Sequence, residues 1–323
     1  MNAPTLDVYL KPNEMAEALR ADVRTGLVAK PKCLPPKWFY DARGSELFEQ
    51  ITTLPEYYPT RTEHQLLERY SSEIAELTQT EILVELGSGS SEKTKRLLSA
   101  GVEHGTLHTY VPQDVSISAL EGATEHIAEV FPGLTVHGVV SDFTESLHHL
   151  PGDGRRTVVF LGGTLGNMVA DERSEFLSGI ADVLSTGEHL VLGVGLVTDA
   201  DVLVRAYDDS AGVTAAFNKN VLRVLNDSLG ADFPIDEFRH VALWDAENAW
   251  IEMRLEATRD LDVQIADLDM SVSFAAGEQL RTEISAKFTI DGIRAELANA
   301  GFEMQRSWTD LDERFALISA VLS

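Results

Sequence analysis

The stretch Val84-Glu85-Leu86-Gly87-Ser88-Gly89-Ser90-Ser91-Glu92-Lys93 decides the fold. An apolar run over 82–86 delivers two glycines into a tight turn, and Ser90 or Ser91 can open the helix that follows. Glycine at such a turn lets backbone approach a ligand with no Cβ in the way. A dinucleotide fingerprint would want a third glycine where Glu92 stands, and a phosphate loop would want Gly-Lys-Ser/Thr. Both are missing. Glu85, directly before the turn, is unhelpful to a pyrophosphate and suits a cationic ligand.

Downstream of this turn the same rhythm repeats. Apolar runs suited to buried strands lie at 107–111, 135–140, 157–161 and 190–194, and amphipathic stretches such as 116–130 and 171–184 sit between most of them. That alternation specifies a mostly parallel, doubly wound α/β sheet. The second strand ends at Asp114, where one carboxylate can accept both hydroxyls of a ribose. The third ends in Ser141-Asp142-Phe143, an acceptor for an adenine amino group beside an aromatic ring. Each aspartate taken singly reads equally as a helix cap. Together with the glycine turn they point to a nucleoside. The fourth strand, at the topological switch, ends in Phe160-Leu161-Gly162-Gly163-Thr164-Leu165-Gly166-Asn167; its glycines allow close approach, and Asn167 can both donate and accept.

Beyond residue 196 the alternation stops. A helical segment over 200–229 leads into strand-like runs at 239–244, 249–257, 270–275 and on to 285. A helix over 289–300 and a hairpin of 302–308 with 315–321 then close the first sheet. Upstream, the first sixty residues read as a helical arm. Asn13 caps a helix ending near Gly26, a short helix covers 45–53, and the prolines of Leu54-Pro55-Glu56-Tyr57-Tyr58-Pro59 hold two tyrosines on a loop. Thr60 with Glu63 forms a capping box for the next helix. The expected division is therefore 61–196 plus 287–323 as one domain, with 1–60 plus 197–286 as the other.

Charge narrows the partners. Asp and Glu total 52 against 26 Lys and Arg, a formal net charge of −26. Such a surface repels phosphate backbones and anionic lipid, so neither nucleic acid nor membrane is expected to bind. The single cysteine, Cys33, excludes a disulfide scaffold, and between prolines it reads as buried and inert. No apolar run approaches the length of a membrane span, and the charged N-terminus does not read as a signal peptide. A soluble, monomeric protein of a reducing cytoplasm is expected. His148 and His149 read as solvated, since two adjacent histidines do not make a metal site, and no metal is expected. The acidic run 260–269 alternates with apolar residues, which favours an exposed strand face over a calcium loop.

Three motifs carry a more specific resemblance: Pro35-Pro36-Lys37-Trp38-Phe39-Tyr40-Asp41, Leu54 through Glu63, and the 162–167 loop. Together with the glycine turn, the chain resembles the histidine-specific family of class I S-adenosylmethionine-dependent methyltransferases over almost its whole length. The resemblance implies a class I methyltransferase fold with an inserted α+β substrate domain and an N-terminal helical arm. It implies three successive methyl transfers to the α-amino group of L-histidine, giving hercynine for ergothioneine biosynthesis, with S-adenosylhomocysteine released. It further implies that Gly87, Lys93, Asp114, Asp142 and Phe143 hold S-adenosylmethionine. Histidine would be held by Tyr57, Gly162, Asn167, Tyr207, Glu283 and Ser285, with Met253 as a wall and Tyr40 near the amine.

The chemistry agrees with those residue types. Methyl transfer is an in-line displacement, so the enzyme chiefly positions two reactants and excludes water. The amine must be neutral, and Tyr40 and Asn167 can orient its lone pair without trapping it as a cation. Asn167 and the Tyr207 hydroxyl would donate to the substrate carboxylate. Glu283 would accept the imidazole N–H, and Ser285 would meet the other ring nitrogen. Alternation puts Glu283 and Ser285 on one face of an extended segment. Two other readings remain: methylation of another small amine or a protein lysine, and a non-catalytic S-adenosylmethionine sensor.

Overall fold

A computed structural model describes residues 3–10, 13–143, 147 and 154–323. In chain order its strands begin with β1 (Thr5–Val8), β2 (Lys32–Cys33), β3 (Ile82–Leu86), β4 (Thr109–Asp114), β5 (Thr135–Val140), β6 (Arg156–Phe160) and β7 (His189–Gly195). They continue with β8 (Phe238–Asp245), β9 (Trp250–Ala257), β10 (Leu261–Ile265), β11 (Met270–Phe274), β12 (Gln279–Ala286), β13 (Phe302–Thr309) and β14 (Phe315–Leu322). The described residues fall into two compact units. One comprises 3–10, 61–197 and 288–323, the other 13–60 and 198–287.

The first unit is built on an eight-stranded sheet in the order β1-β5-β4-β3-β6-β7-β14-β13. The pairs from β1 through β7 are all parallel, and β14 runs antiparallel to both of its neighbours. Every residue of β3, β6 and β7 is buried, as continuous apolar runs in a sheet covered on both faces require. The order reverses between β3 and β6, so the loops leaving those two strands are neighbours at the carboxyl edge, where α/β sheets bind ligands. The two intervening amphipathic stretches fold as the helices Ile117–Val130 and Ala170–Val183, the first capped by the Ser116 hydroxyl accepting from the Ala119 amide. Leu67, Leu98, Tyr110, Ile127 and Leu317 are among the residues of its core, each almost fully inaccessible.

The second unit carries a four-stranded sheet, β2-β12-β9-β8, and a separate hairpin, β10-β11. The helix Val213–Leu229 lies within its apolar cluster, contributing Phe217, Val221, Leu222 and Leu225. The alternation over 260–269 becomes β10, with inward Leu261, Val263 and Ile265 and outward Asp262 and Gln264.

Several expectations are corrected. Residues 3–10 do not belong to a helical arm; β1 pairs parallel with β5 at the edge of the large sheet. The helix Glu14–Gly26 does follow, but Asn13 makes no side-chain cap and instead takes a left-handed conformation. Tyr58 is not on the loop: a helix spans Tyr58–Thr78, with Pro59 in its first turn, where a missing N–H is harmless. Thr60 and Glu63 therefore lie inside the helix and form no capping box. The segment 200–229 is two helices, Ala200–Tyr207 and Val213–Leu229, separated where the Asp209 carboxylate accepts the Val213 and Thr214 amides. Cys33 is a free thiol, half-buried rather than buried. His148 and His149 lie outside the described residues. Among the described residues no helix is long and apolar enough to cross a membrane.

Candidate active site

The turn after β3 is built for close approach. Gly87 and Gly89 both have positive φ, +64° and +51°. A Cβ on Gly87 would sit 3.4 Å from the Phe143 ring, whereas one on Gly89 would meet no protein atom within 4 Å. The turn is thus closed on one side by an aromatic ring and open at its second glycine. Phe143 is itself fixed edge-on against Phe160 and Phe176. Asp114, at the end of β4, accepts the Gly89 amide on Oδ2 at 2.9 Å and the Ser116 amide on Oδ1 at 3.0 Å. One bond per oxygen leaves each a second lone pair, so the carboxylate both shapes the turn and retains capacity for two hydroxyl donors. Asp142 follows β5 at the same edge. An open glycine, an aromatic face and acceptors at successive strand ends fit a nucleoside-bearing cofactor.

Glu85 does not face this space. Its carboxylate takes hydrogen bonds from the Thr94 and Tyr110 hydroxyls, and Tyr110 also reaches Ser91 at 2.8 Å. Burial pushes the Glu85 carboxyl up to about 7 against the opposing pull of those two hydroxyls. The expectation that it greets a cationic ligand is corrected: it ties the glycine turn to β4 from behind.

The residue that sequence reasoning misread is Glu63. Fully buried, it accepts from the Gly162 amide at 2.7 Å and from the Lys93 ammonium at 3.0 Å. It can do so because Gly193 on β7 has no side chain; a Cβ there would lie 2.1 Å from Glu63 Oε1. Gly162 has φ +80°, and a Cβ on it would meet the Lys93 ammonium at 3.0 Å. Lys93 and Gly162, expected to serve different ligands, are therefore joined through one carboxylate. Asn167 closes the short 3-10 turn Thr164–Asn167 after β6, and its amide makes no hydrogen bond among the described residues.

In the second unit a different cluster forms. The Asp41 carboxylate accepts from the Gly44 amide and from Asn220 Nδ2, which also reaches the Phe39 carbonyl. Gly44 is required there, since its Cβ would fall 1.7 Å from that carbonyl. This holds Tyr40 edge-on to Phe48 and Phe217, with ring centroids 5.6 and 5.5 Å away. Tyr57 packs edge-on to Tyr207 at 6.1 Å. The Tyr207 hydroxyl donates to Ser285 Oγ at 2.7 Å.

Glu283 and Ser285 share one face of β12, with a bulge between Arg281 and Glu283. Met253 stands opposite Glu283 on β9, buried. Glu283 keeps some surface accessible yet lies deep: burial lifts its carboxyl to about 7, with Lys287 pulling the other way. It has no hydrogen bond or ion pair among the described residues. Burial, and then Glu283, hold the Tyr207 phenol above its ordinary range, while Tyr40 is half exposed. Lys287 was not anticipated. Its ammonium donates to Ser285 Oγ at 2.6 Å and to the Tyr207 hydroxyl at 3.1 Å. The available signal was its spacing, two residues beyond Ser285 as Ser285 is two beyond Glu283. Among the described residues no group of His, Cys, Asp or Glu is arranged to hold a metal ion.

Comparison with known proteins gives the family. A family model described as "Histidine-specific methyltransferase, SAM-dependent" matches residues 19–322. Histidine N-alpha-methyltransferase of Mycolicibacterium smegmatis is 52% identical over 313 residues, covering 97% of this chain and 98% of that protein. The protein of the same name from Mycobacterium tuberculosis is 50% identical, covering 93% and 94%. Ergothioneine biosynthesis protein 1 of Neurospora crassa is 28% identical and covers 86% of this chain but 32% of its own length. Sharing about half its residues with two such proteins from end to end, the chain belongs to the histidine-specific, S-adenosylmethionine-dependent methyltransferase family.

Proposed function

We propose that this protein methylates the α-amino nitrogen of L-histidine, using S-adenosylmethionine, in three steps that give hercynine for ergothioneine biosynthesis. The observation that carries the reading is the extent of identity with proteins named for that activity. The Glu283 carboxylate, lying deep beside Ser285 with no partner among the described residues, supports it independently. An imidazole presents an N–H and a ring nitrogen, which an acceptor and a hydroxyl two residues apart on one strand can meet.

S-Adenosylmethionine supplies an electrophilic methyl group on a sulfonium. In this reading Asp114 takes the ribose hydroxyls, Asp142 and Phe143 take the adenine, and Gly87 with Gly89 admits the donor without a Cβ in its way. Lys93, neutralised by Glu63, lies beside Gly162. Tyr40 and Tyr207 keep their protons at neutral pH, since an ordinary phenol titrates at about 10 and burial raises Tyr207 further, so neither serves as a phenolate base. Tyr40 instead orients the neutral amine through its oxygen lone pairs. Asn167, whose amide both donates and accepts, contacts the amino acid's polar head, and Tyr57 lines the site. Proton loss to water before each transfer is sufficient for an amine whose pKa is roughly 8 or above. Aromatic faces also favour the cationic trimethylated product. With one cysteine and no disulfide to make, the chain suits a reducing cytoplasm, and in this reading it acts there as a monomer.

The test is mass spectrometry of histidine incubated with S-adenosylmethionine and the protein. Gains of one, two and three methyl groups are expected on histidine. Methylation of tryptophan or a lysine peptide, with histidine untouched, would overturn the reading.

A further inference from the structure

Between them, Ser285, Tyr207 and Lys287 have a countable set of hydrogens. Lysine has only donors, and Lys287 gives one to each hydroxyl oxygen. Tyr207 gives its single hydrogen to Ser285. Ser285 Oγ thus accepts twice, which fills both its lone pairs, and its own hydrogen has no acceptor inside the trio. All three groups are buried, so this polarity is not averaged by solvent.

From this closed count we infer that Lys287 is a positioning residue that fixes Ser285 as a hydrogen-bond donor, so that β12 presents one donor, Ser285, beside one acceptor, Glu283. The inference rests on the histidine reading above and adds to it a form of the ring. A donor and an acceptor together read an imidazole with one bare nitrogen and one N–H, the neutral ring. Two acceptors would instead read the imidazolium. Burial brings the Lys287 ammonium down to about 8, with Glu283 opposing. The donor-only count applies to the ammonium form, which predominates at neutral pH.

Steady-state kinetics on four variants, two single substitutions at Lys287 and Ser285→Ala without and with Lys287→Met, test this. Lys287→Met keeps length and removes all donors; it is expected to raise the histidine KM by about 10-fold while kcat changes less than about threefold. Lys287→Gln restores donors without charge and is expected to bring KM back to within about threefold of the parent protein. In a Ser285→Ala background the Lys287→Met effect should largely vanish, because the group it acts through is gone. An equal KM increase in both backgrounds, or a Gln variant as impaired as the Met variant, overturns the proposal. If the Met variant does not fold, the Gln variant decides alone: a KM within threefold supports the donor role, and a tenfold rise refutes it. A parent protein that folds but leaves histidine unmethylated removes the functional reading itself, an outcome visible before any variant is made.

Discussion

In the first unit the carboxylates of the site face the protein's own backbone, hydroxyls and one ammonium, whereas in the second unit Glu283 has no hydrogen-bond partner among the described residues. Asp114 holds the Gly89 and Ser116 amides, Glu63 holds Gly162 and Lys93, and Glu85 holds Thr94 and Tyr110. These contacts set the path of loops whose working surface is glycine. The second cluster is made of side chains, with three mutually bonded polar groups and one unshared acceptor. The lesson concerns where specificity resides. A site shaped by backbone accepts one ligand outline and resists retuning, while a site of side chains on one strand face can be rewritten a residue at a time.

The contrast breaks hardest at Glu63. Glu63 holds both the Lys93 ammonium and the Gly162 amide, and each such hydrogen bond to a charged group contributes about 1.5–3 kcal/mol, so Glu63→Ala is expected to lower kcat/KM about 100-fold and to reduce stability. Kinetics and thermal unfolding on the same sample check both, and an active, stable alanine variant would dissolve the role given to this residue.

A crossed pair of substitutions sharpens the division. Hydrogen bonds to charged groups contribute about 1.5–3 kcal/mol, or roughly 10- to 150-fold in affinity. Asp114→Ala should weaken S-adenosylmethionine binding by that range with little change in histidine KM. Glu283→Gln should raise the histidine KM by the same range, leaving cofactor affinity alone and kcat much less affected, because the contact is alike in ground and transition states. Calorimetry and saturation kinetics give the four constants. If each substitution moves both ligands equally, the two clusters are not separate in function.

Next in size is a pH effect. Glu85 rises in the fold from the ordinary 4.5 to about 7. A carboxyl raised on folding contributes stability that is full below its unfolded value and is lost as pH rises through its folded value. Relative to Glu85→Gln, the parent protein should therefore lose about 1–3 kcal/mol between pH 5 and pH 8. Chemical denaturation at the two pH values measures this; a constant difference between the proteins would show that Glu85 is already ionised throughout.

The smallest stability change belongs to Gly89. A Cβ there touches no protein atom, so Gly89→Ala should cost only the left-handed backbone strain, about 1–2 kcal/mol. Cofactor affinity should fall further than that strain accounts for, since the methyl group occupies the open side of the turn. An unchanged affinity would mean that the ligand does not approach Gly89.

Much of the sheet was legible because its strands are buried on both faces and therefore read as unbroken apolar runs. The runs at 82–86 and 135–140 coincide with β3 and β5. β1 was not legible: four residues with Asp7 among them, at a sheet edge, carry too little pattern. Glu63 was misread because Thr-x-x-Glu imitates a capping box, and only the actual helix start at Tyr58 exposes the error. Glu85 was placed correctly on its strand and given the wrong audience, since nothing in the local sequence reveals that Thr94 and Tyr110 converge on it. Lys287 was overlooked because a lysine just past a strand reads as solvated. In each case the missing information is a contact between distant segments.

The pairing of β2 with β12 has a consequence for how the chain is made. Lys32 lies opposite Leu280, and Cys33 opposite Arg281. During synthesis the segment around residue 32 must wait for almost 250 further residues before its partner strand exists, and the large sheet likewise waits for β14, which pairs with β7. Contacts so remote in sequence form slowly, and apolar surface stands uncovered in the meantime. The order of events on the ribosome is thus set by topology: neither unit can finish early, and both complete their sheets only as the last quarter of the chain emerges. A surface as acidic as this one, with a net charge of −26, keeps such waiting chains apart.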